Sequence, residues 1–327
     1  MGHQDMPTST AASLTFVLSL VMSAVLAAQA QETLARQHFD AARKAAGAEW
    51  ATAANYFSMT AEEVRPSLPS SGGAVPLEPI QVFDNLYLVG LNKVAVWTIL
   101  TTEGIVLIDA GGEPGGRAEI LIAGMTRLGL DPQSIRYVLI SHGHEDHFLG
   151  SKLLQDRFGA RVGMSAEDWD FIRPKPGAPA SGNIPKRDLT MVDGETLTVG
   201  DTQITPVLIP GHTPGSMGFI FTVRDGAKSH RAALFGGTML LPSAPLPQVR
   251  QYLGSIEHFR EVTRRLGADV ELLNHPLMDD LFVKLEKLKT RKSGDEHPLV
   301  VGQDGYQRFM TVMYESMKGQ LARRGEL

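Results

Sequence analysis

From residue 80 onward, short apolar runs alternate with turn-forming residues at a spacing that suits β-strands. Ile80–Val89, Val94–Thr101 and Gly104–Ile108 are predicted as successive strands, with turns near Asp84-Asn85, Asn92-Lys93 and Glu103-Gly104. The apolar spacing becomes helical over Gly115–Leu128, returns to a strand at Ile135–Ile140, and is helical again over Leu149–Phe158. A second group of strands is predicted at Asp188–Leu197, Thr202–Ile209, Met217–Val223 and Arg231–Phe235, with turns at Asp193-Gly194, Gly200-Asp201 and Asp225-Gly226. Leu281–Thr290 and Gly305–Arg324 carry helical spacing. Two sheet-plus-helix halves in one chain predict an α/β fold. The expected form is a four-layer αββα sandwich, two mixed β-sheets flanked by helices, with ligands held where loops of both halves meet.

The N-terminal pattern is different. Ala11–Ala28 is apolar and uncharged, and Ala28-Gln29-Ala30 offers a small-x-small cleavage site. No Lys or Arg precedes Arg36. Residues 1–30 are expected to be a signal peptide, with a single membrane anchor as the rival reading. Residues 31–77 are expected to form a helical extension interrupted near Gly47, followed by a Pro/Ser/Gly-rich linker over Pro66–Pro79. That leaves 78–327 as the catalytic domain. Residues 173–187 form a Pro/Gly-rich basic loop, read as either a flank of the site or a plain connector.

Composition narrows the classes. The chain of 327 residues is 43% hydrophobic and 20% charged, ordinary values for a globular protein with a large core. A formal charge of −5 gives no electrostatic case for nucleic acid as a partner. There is no cysteine. No disulfide, thiolate nucleophile or lipoprotein anchor is available, so every metal ligand must be His, Asp or Glu.

The densest chemistry lies in His142-Gly143-His144-Glu145-Asp146-His147, directly after the apolar strand Val138-Leu139-Ile140. Three imidazoles and a carboxylate so close together suit one or two borderline divalent ions, above all Zn²⁺. Two more histidines sit at strand ends. His212 lies in Pro210-Gly211-His212-Thr213-Pro214-Gly215, a tight turn, and His275 lies in Leu272-Leu273-Asn274-His275-Pro276. Loops at strand ends are where a rigid sheet can aim a ligand. His38, His230, His258 and His297 are assigned no role.

The ordered set Asp109-Ala110-Gly111-Gly112, His142-x-His144-x-Asp146-His147, Pro210-Gly211-His212-Thr213-Pro214-Gly215 and His275 resembles the metallo-β-lactamase-fold superfamily. The resemblance runs from about residue 78 to the end. It is nearest to the third subclass of zinc β-lactamases, whose sites use only His and Asp. It implies a first zinc held by His142, His144 and His212, and a second held by Asp146, His147 and His275. Asp109 would orient the ligand loop, and Asp146 would also position the nucleophile or carry its proton. Two such ions would lower the pKa of bound water from 15.7 toward about 7.

The same resemblance limits the substrate. Thr238, in Phe235-Gly236-Gly237-Thr238, stands where many relatives carry a bridging aspartate, and Leu240 stands where the third subclass often has a carboxylate-binding serine. Ser216, Thr238 and Leu240 are the expected substrate contacts, with Asn183, Lys175 or Arg187 as further candidates for an anion. Trp97 and Trp169 are read as cleft-lining or core. The leading expectation is an exported periplasmic or secreted zinc hydrolase that opens a β-lactam amide. The alternatives are a dizinc hydrolase of a lactone, ester or phosphodiester, and a non-catalytic metal-binding protein. The expected partner is a small molecule, with no stable membrane association after cleavage and a monomeric or weakly oligomeric state.

Overall fold

The computed structural model describes residues 9–64, 75–112, 117–174 and 183–327; the side chains of residues 9–20 and 117 lie outside that description. Helix α1 (Ser9–Ala46) ends where expected, at Gly47, which takes φ +55°, a backbone state open to a residue without Cβ. The short helices α2 (Ala51–Ser58) and α3 (Ala61–Val64) follow. Most of the predicted linker, residues 65–74, falls outside the described residues.

The first sheet holds β1 (Ile80–Phe83), β2 (Leu86–Gly90), β3 (Ala95–Thr101), β4 (Gly104–Ile108), β5 (Ile135–Leu139), β6 (Arg161–Ser165) and β7 (Leu189–Met191), side by side in that order. Its first four strands are antiparallel, and β4 to β7 run parallel. Between them lie α4 (Arg117–Arg127), α5 (Glu145–Phe148), α6 (Ser151–Phe158) and α7 (Ala166–Phe171). The second sheet holds β8 (Leu197–Val199), β9 (Thr202–Leu208), β10 (Met217–Asp225), β11 (Lys228–Leu234) and β12 (Val270–Leu272). Helices α8 (Leu246–Leu266), α9 (Leu281–Thr290) and α10 (Gly302–Arg323) complete it.

Three apolar layers explain why two sheets stack. Trp97, Ile99, Val106 and Ile108 of the first sheet meet Ile204, Phe219, Phe221 and Leu234 of the second. The other face of the first sheet packs on α4, α6 and α7 through Ile105, Leu107, Leu121 and Leu154. The other face of the second packs on α2, α8 and α10 through Val207, Ile220, Trp50, Phe259 and Phe309. This is the four-layer sandwich of two mixed sheets. Trp97 is fully buried and donates its indole N–H to the Leu273 carbonyl at 3.0 Å, while Trp169 donates to the Leu189 carbonyl at 2.8 Å. Both tryptophans are core, and truncating Trp97 to alanine would cost about 3–5 kcal/mol.

The Ile80–Val89 run folds back at the expected Asp84-Asn85 turn into the β1–β2 hairpin. Two segments differ from expectation. Asp188–Leu197 is not one strand, because Leu189–Met191 pairs with β6 in the first sheet and the chain then crosses to β8 in the second. Helix α8 was missed, although Val249, Tyr252, Ile256, Phe259 and Val262 recur at three- and four-residue steps and are buried. The N-terminal segment joins the body: Ala35 and Phe39 of α1 pack with Ala322 of α10, and Trp50, Ala53, Ala54 and Phe57 enter the core around α8 and α10. Val21, Met22, Val25 and Leu26 of α1 stay exposed. Among the described residues no helix is long and apolar enough to cross a membrane.

Candidate metal centre

Four strand ends deliver the chemistry to one edge of the sandwich. Strand β4 ends at Asp109, β5 leads into 141–147, β9 into the turn 209–216, and β12 into 273–275. His144 keeps extended backbone (φ −84°, ψ 149°) and starts the single helical turn of α5, which swings Asp146 and His147 away from His142 and His144. The six expected side chains come together as two groups, His142/His144/His212 and Asp146/His147/His275. In each group the donor atoms lie within 4.8 Å of one another.

The hydrogen bonds around the imidazoles decide which ring nitrogens carry lone pairs. His212 Nδ1 donates to the Met239 carbonyl at 2.5 Å, so its Nε2 is bare. Ser141 Oγ donates to Asp109 at 3.0 Å and accepts from His142 Nδ1 at 3.0 Å, which bares His142 Nε2 as well. These two bare nitrogens lie 3.1 Å apart, and His144 Nδ1 is 2.9 Å from His212 Nε2. Lone pairs facing each other at that distance call for a cation between them. Zinc bound to nitrogen at about 2.0–2.1 Å in a tetrahedral shell holds its ligands roughly 3.3 Å apart. In the second group His147 Nδ1 donates to Asp109 at 2.7 Å and His275 Nδ1 donates to the Lys93 carbonyl at 2.8 Å. His147 Nε2 is left buried without a hydrogen-bond partner, 3.4 Å from Asp146 Oδ2. A buried polar atom without a partner is costly, and a divalent ion satisfies it. The residues present fit such an ion in both groups.

Electrostatics separates the two groups. Burial, reinforced by the neighbouring imidazoles, holds His142 and His212 well below the usual histidine range, and burial lowers His144 and His275 too. His147 goes the other way: burial pushes it down, but the Asp146 and Asp109 carboxylates together raise it to about 10. Burial works to raise Asp146, yet the imidazoles of His147, His275 and His144 hold its carboxyl far below the ordinary carboxylate range.

Asp109 underlies both groups. Its carboxylate is fully buried and accepts from Ser141 N at 2.8 Å, from Ser141 Oγ, from His147 Nδ1 and from Asn274 Nδ2. Its backbone is left-handed (φ +66°), a state Asp tolerates better than most residues but one that costs of order 1–3 kcal/mol. Three residues on, Gly112 is sterically required: a Cβ there would lie 2.1 Å from Asp146 Cα. Gly237 (φ +68°) is equally constrained, because its Cβ would lie 2.7 Å from His212 Cβ.

The structure places the side chains of all three expected substrate contacts in the interior. Ser216 is fully buried, its Oγ accepting from Thr213 N at 3.0 Å and pairing with Thr213 Oγ1 at 2.7 Å inside the His212 turn. Thr238 is buried and donates to the Phe235 carbonyl at 2.8 Å. Leu240 packs in the core around α8. Among the other anion candidates, Arg187 bonds Thr190 Oγ1 at 2.9–3.0 Å, Asn183 is half-buried and Lys175 lies outside the described residues. Two site residues escaped the sequence. Buried Asp168 accepts from Gly143 N at 2.7 Å, Thr213 Oγ1 at 2.6 Å and Gly215 N at 2.8 Å, tying the two loops of the all-histidine group together. Asn274 links β12 to Asp109. The signal for Asp168 was the Ser165-x-x-Asp168 start of α7, where Ser165 Oγ caps Asp168 N at 3.1 Å. Of the remaining histidines, His38 pairs with Glu315, His230 with Asp269, and His297 stacks on Phe83, away from both groups.

Residues 89–226 match the model of the metallo-beta-lactamase superfamily. Among solved structures, the chain is similar to the native FEZ-1 metallo-beta-lactamase from Legionella gormanii: 25% identity, 78% of this chain and 98% of that one, TM-score 0.65. It also has the fold of BJP-1, a subclass B3 metallo-beta-lactamase of Bradyrhizobium japonicum: 24% identity, 77% of this chain and 96% of that one, TM-score 0.64. A curated relative by sequence is the hydroxyacylglutathione hydrolase GloC of Haemophilus influenzae, 31% identical over 33% of this chain and 53% of that protein. The chain covers less than two thirds of the length of the curated relatives it matches. The strand-end ligand loops, the two mixed sheets and the matched family model lead to one assignment: the chain carries a metallo-β-lactamase superfamily domain.

Proposed function

We propose that the chain is an exported hydrolase that uses two zinc ions to open the amide of a β-lactam ring. The observation that carries the reading is the juxtaposition of an all-histidine group with an Asp/His/His group, beside a Thr238 whose hydroxyl is engaged by Phe235. The superfamily fold itself implies a divalent metal, typically zinc. Solved neighbours named β-lactamases are covered over nearly their whole length, in favour of the β-lactam substrate. Zinc, when bound, supplies Lewis acidity and lowers the pKa of water to about 7.

The chain's own residues do the rest. His142, His144 and His212 direct three ring nitrogens to one point, held there by Ser141, Asp168 and the Met239 carbonyl. Asp146 is the acidic member of the two groups and its side chain is 46% exposed, so it can meet substrate. Its Oδ2 faces His147, and the other oxygen, Oδ1, is free to accept a hydrogen bond from the attacking water and so orient it. His147 and His275 keep Asp146 ionised for that task. Export rests on the uncharged Ala11–Ala28 run, and cleavage after Ala30 would leave Ala35 and Phe39 to pack on α10.

The test is hydrolysis of a chromogenic cephalosporin, a penicillin and a carbapenem by zinc-loaded protein. The reading requires turnover that a chelator abolishes and zinc restores. A second reading, hydrolysis of a thioester, lactone, ester or phosphodiester, is favoured by the burial of Ser216 and Leu240 and by the relatives named hydroxyacylglutathione hydrolases. Turnover of a glutathione thioester or lactone with none of any β-lactam would select it.

A further inference from the structure

The segment that carries His275 is stapled at both ends by charge buried in the core. Before it, β12 contributes Glu271; after it, the turn contributes Asp279 and Asp280, and α9 contributes Lys284. Glu271 and Asp279 are 1% and 2% exposed. Lys284 Nζ lies 3.4 Å from Glu271 Oε2 and 3.4 Å from Asp279 Oδ2. One ammonium therefore bridges the strand before His275 to the turn after it. Glu271 Oε1 and Asp279 Oδ1 have no partner if both groups are ionised, and a single proton on Glu271 shared with Asp279 satisfies both. Burial and the Asp279 charge push Glu271 well above the usual carboxyl range, in keeping with that proton.

The N-terminal segment closes this cluster. The Trp50 ring lies 4.6 Å from Lys284 Nζ, a cation–π roof over the ammonium, and its indole N–H donates to the Gly305 carbonyl at 3.0 Å. Thr52 Oγ1 donates to Asp280 Oδ2 at 2.8 Å, where Asp280 takes left-handed backbone (φ +56°) to start α9. His275 itself is anchored by its Nδ1 bond to Lys93, and Met278 N contacts the His275 carbonyl at 3.3 Å. The position of its bare Nε2 thus depends on where the segment 271–284 is pinned.

We infer that Lys284, with Glu271 and Asp279, is a positioning residue for His275, and that Trp50 and Thr52 make the N-terminal helices part of the metal centre. The inference rests on the dizinc reading above and deepens it. Lys284 touches neither ion nor substrate, so its effect must appear selectively in the group that contains His275.

The experiment is a zinc competition titration of full-length protein against a chromophoric chelator, resolving the two affinities, with circular dichroism as a folding check. Lys284→Met should weaken zinc binding at the His275 group about tenfold or more while leaving the all-histidine group within twofold. Lys284→Arg, which keeps the charge over the ring, should restore most of that loss. Thr52→Val, a mild change at the far end of the same segment, should weaken the His275 group about two- to fivefold and serves if Lys284→Met fails to fold. Two native-like affinities in Thr52→Val and in folded Lys284→Met, or a parallel loss at both groups, would overturn the inference. Absence of zinc binding by the unsubstituted protein would instead overturn the dizinc reading on which it rests.

Discussion

In the group formed by His142, His144 and His212 every donor is an imidazole whose proton affinity is reduced by burial, so no proton stands in the way of a metal. The neighbouring group contains Asp146 and a His147 raised to about 10 by two carboxylates, so without a metal it already holds a positive charge in the form of a proton. The first group offers nitrogen and no charge; the second offers one carboxylate and must release a proton to accept an ion. The lesson is that adjacency and shared support from Asp109 do not make the two groups equivalent. The first is suited to holding an ion over a wide pH range, the second to one that comes and goes with pH.

The largest expected effect comes from deleting one ligand on each side. His212→Ala should lower kcat/KM about 10³-fold or more, because it removes a ligand of the ion that neither Asp146 nor Asp109 contacts. His275→Ala should cost only about 10–100-fold, since the all-histidine group stays whole. Equal losses would remove the asymmetry. Asp109→Asn is next: Asn tolerates the left-handed backbone but lacks the charge that orients Ser141 and His147. Zinc affinity should fall about 10–100-fold, more at the Asp146 group than at the other, as read by chelator competition.

A pH series sharpens the comparison further. Below pH 10 His147 is protonated in the metal-free protein, so binding at its group must displace one proton. Its association constant should therefore rise roughly tenfold per pH unit between about pH 6 and 9, one unit of slope more than that of the all-histidine group. Parallel slopes would show that His147 does not carry that proton. The smallest effect is expected from Asp168→Asn, which weakens the tie between Gly143 and Gly215 and should cost about 1–3 kcal/mol in urea unfolding while leaving the Asp146 group unaffected.

What was legible in the sequence follows from how local each signal is. His142 to His147 form a dense motif on a strand end, and His212 and His275 stand in turns beside proline, so each could be singled out as a candidate ligand, while their grouping into two sets of three was implied by the resemblance to the metallo-β-lactamase-fold superfamily. Asp109 was legible through the same resemblance, as part of the Asp109-Ala110-Gly111-Gly112 motif that follows an apolar strand. The directions of Ser216, Thr238 and Leu240 were not. Within a tight turn the side chain's aim depends on backbone angles such as φ +68° at Gly237, and all three point inward. Asp168 was hidden because its partners are backbone N–H groups of Gly143 and Gly215, 25 and 47 residues away. Strand alternation likewise could not show that Leu189–Met191 and Leu197–Val199 belong to different sheets. Helix α8 was overlooked because its polar face, rich in Arg and Glu, dominates the composition while its apolar stripe is sparse.

The most direct test of the account is a zinc titration of the full-length protein with metal counted per chain, beside His275→Ala. Two ions in the unsubstituted protein and one in His275→Ala would agree with two separate three-ligand groups. A single ion in both would contradict it, and would mean that His147 and His275 serve something other than a second metal.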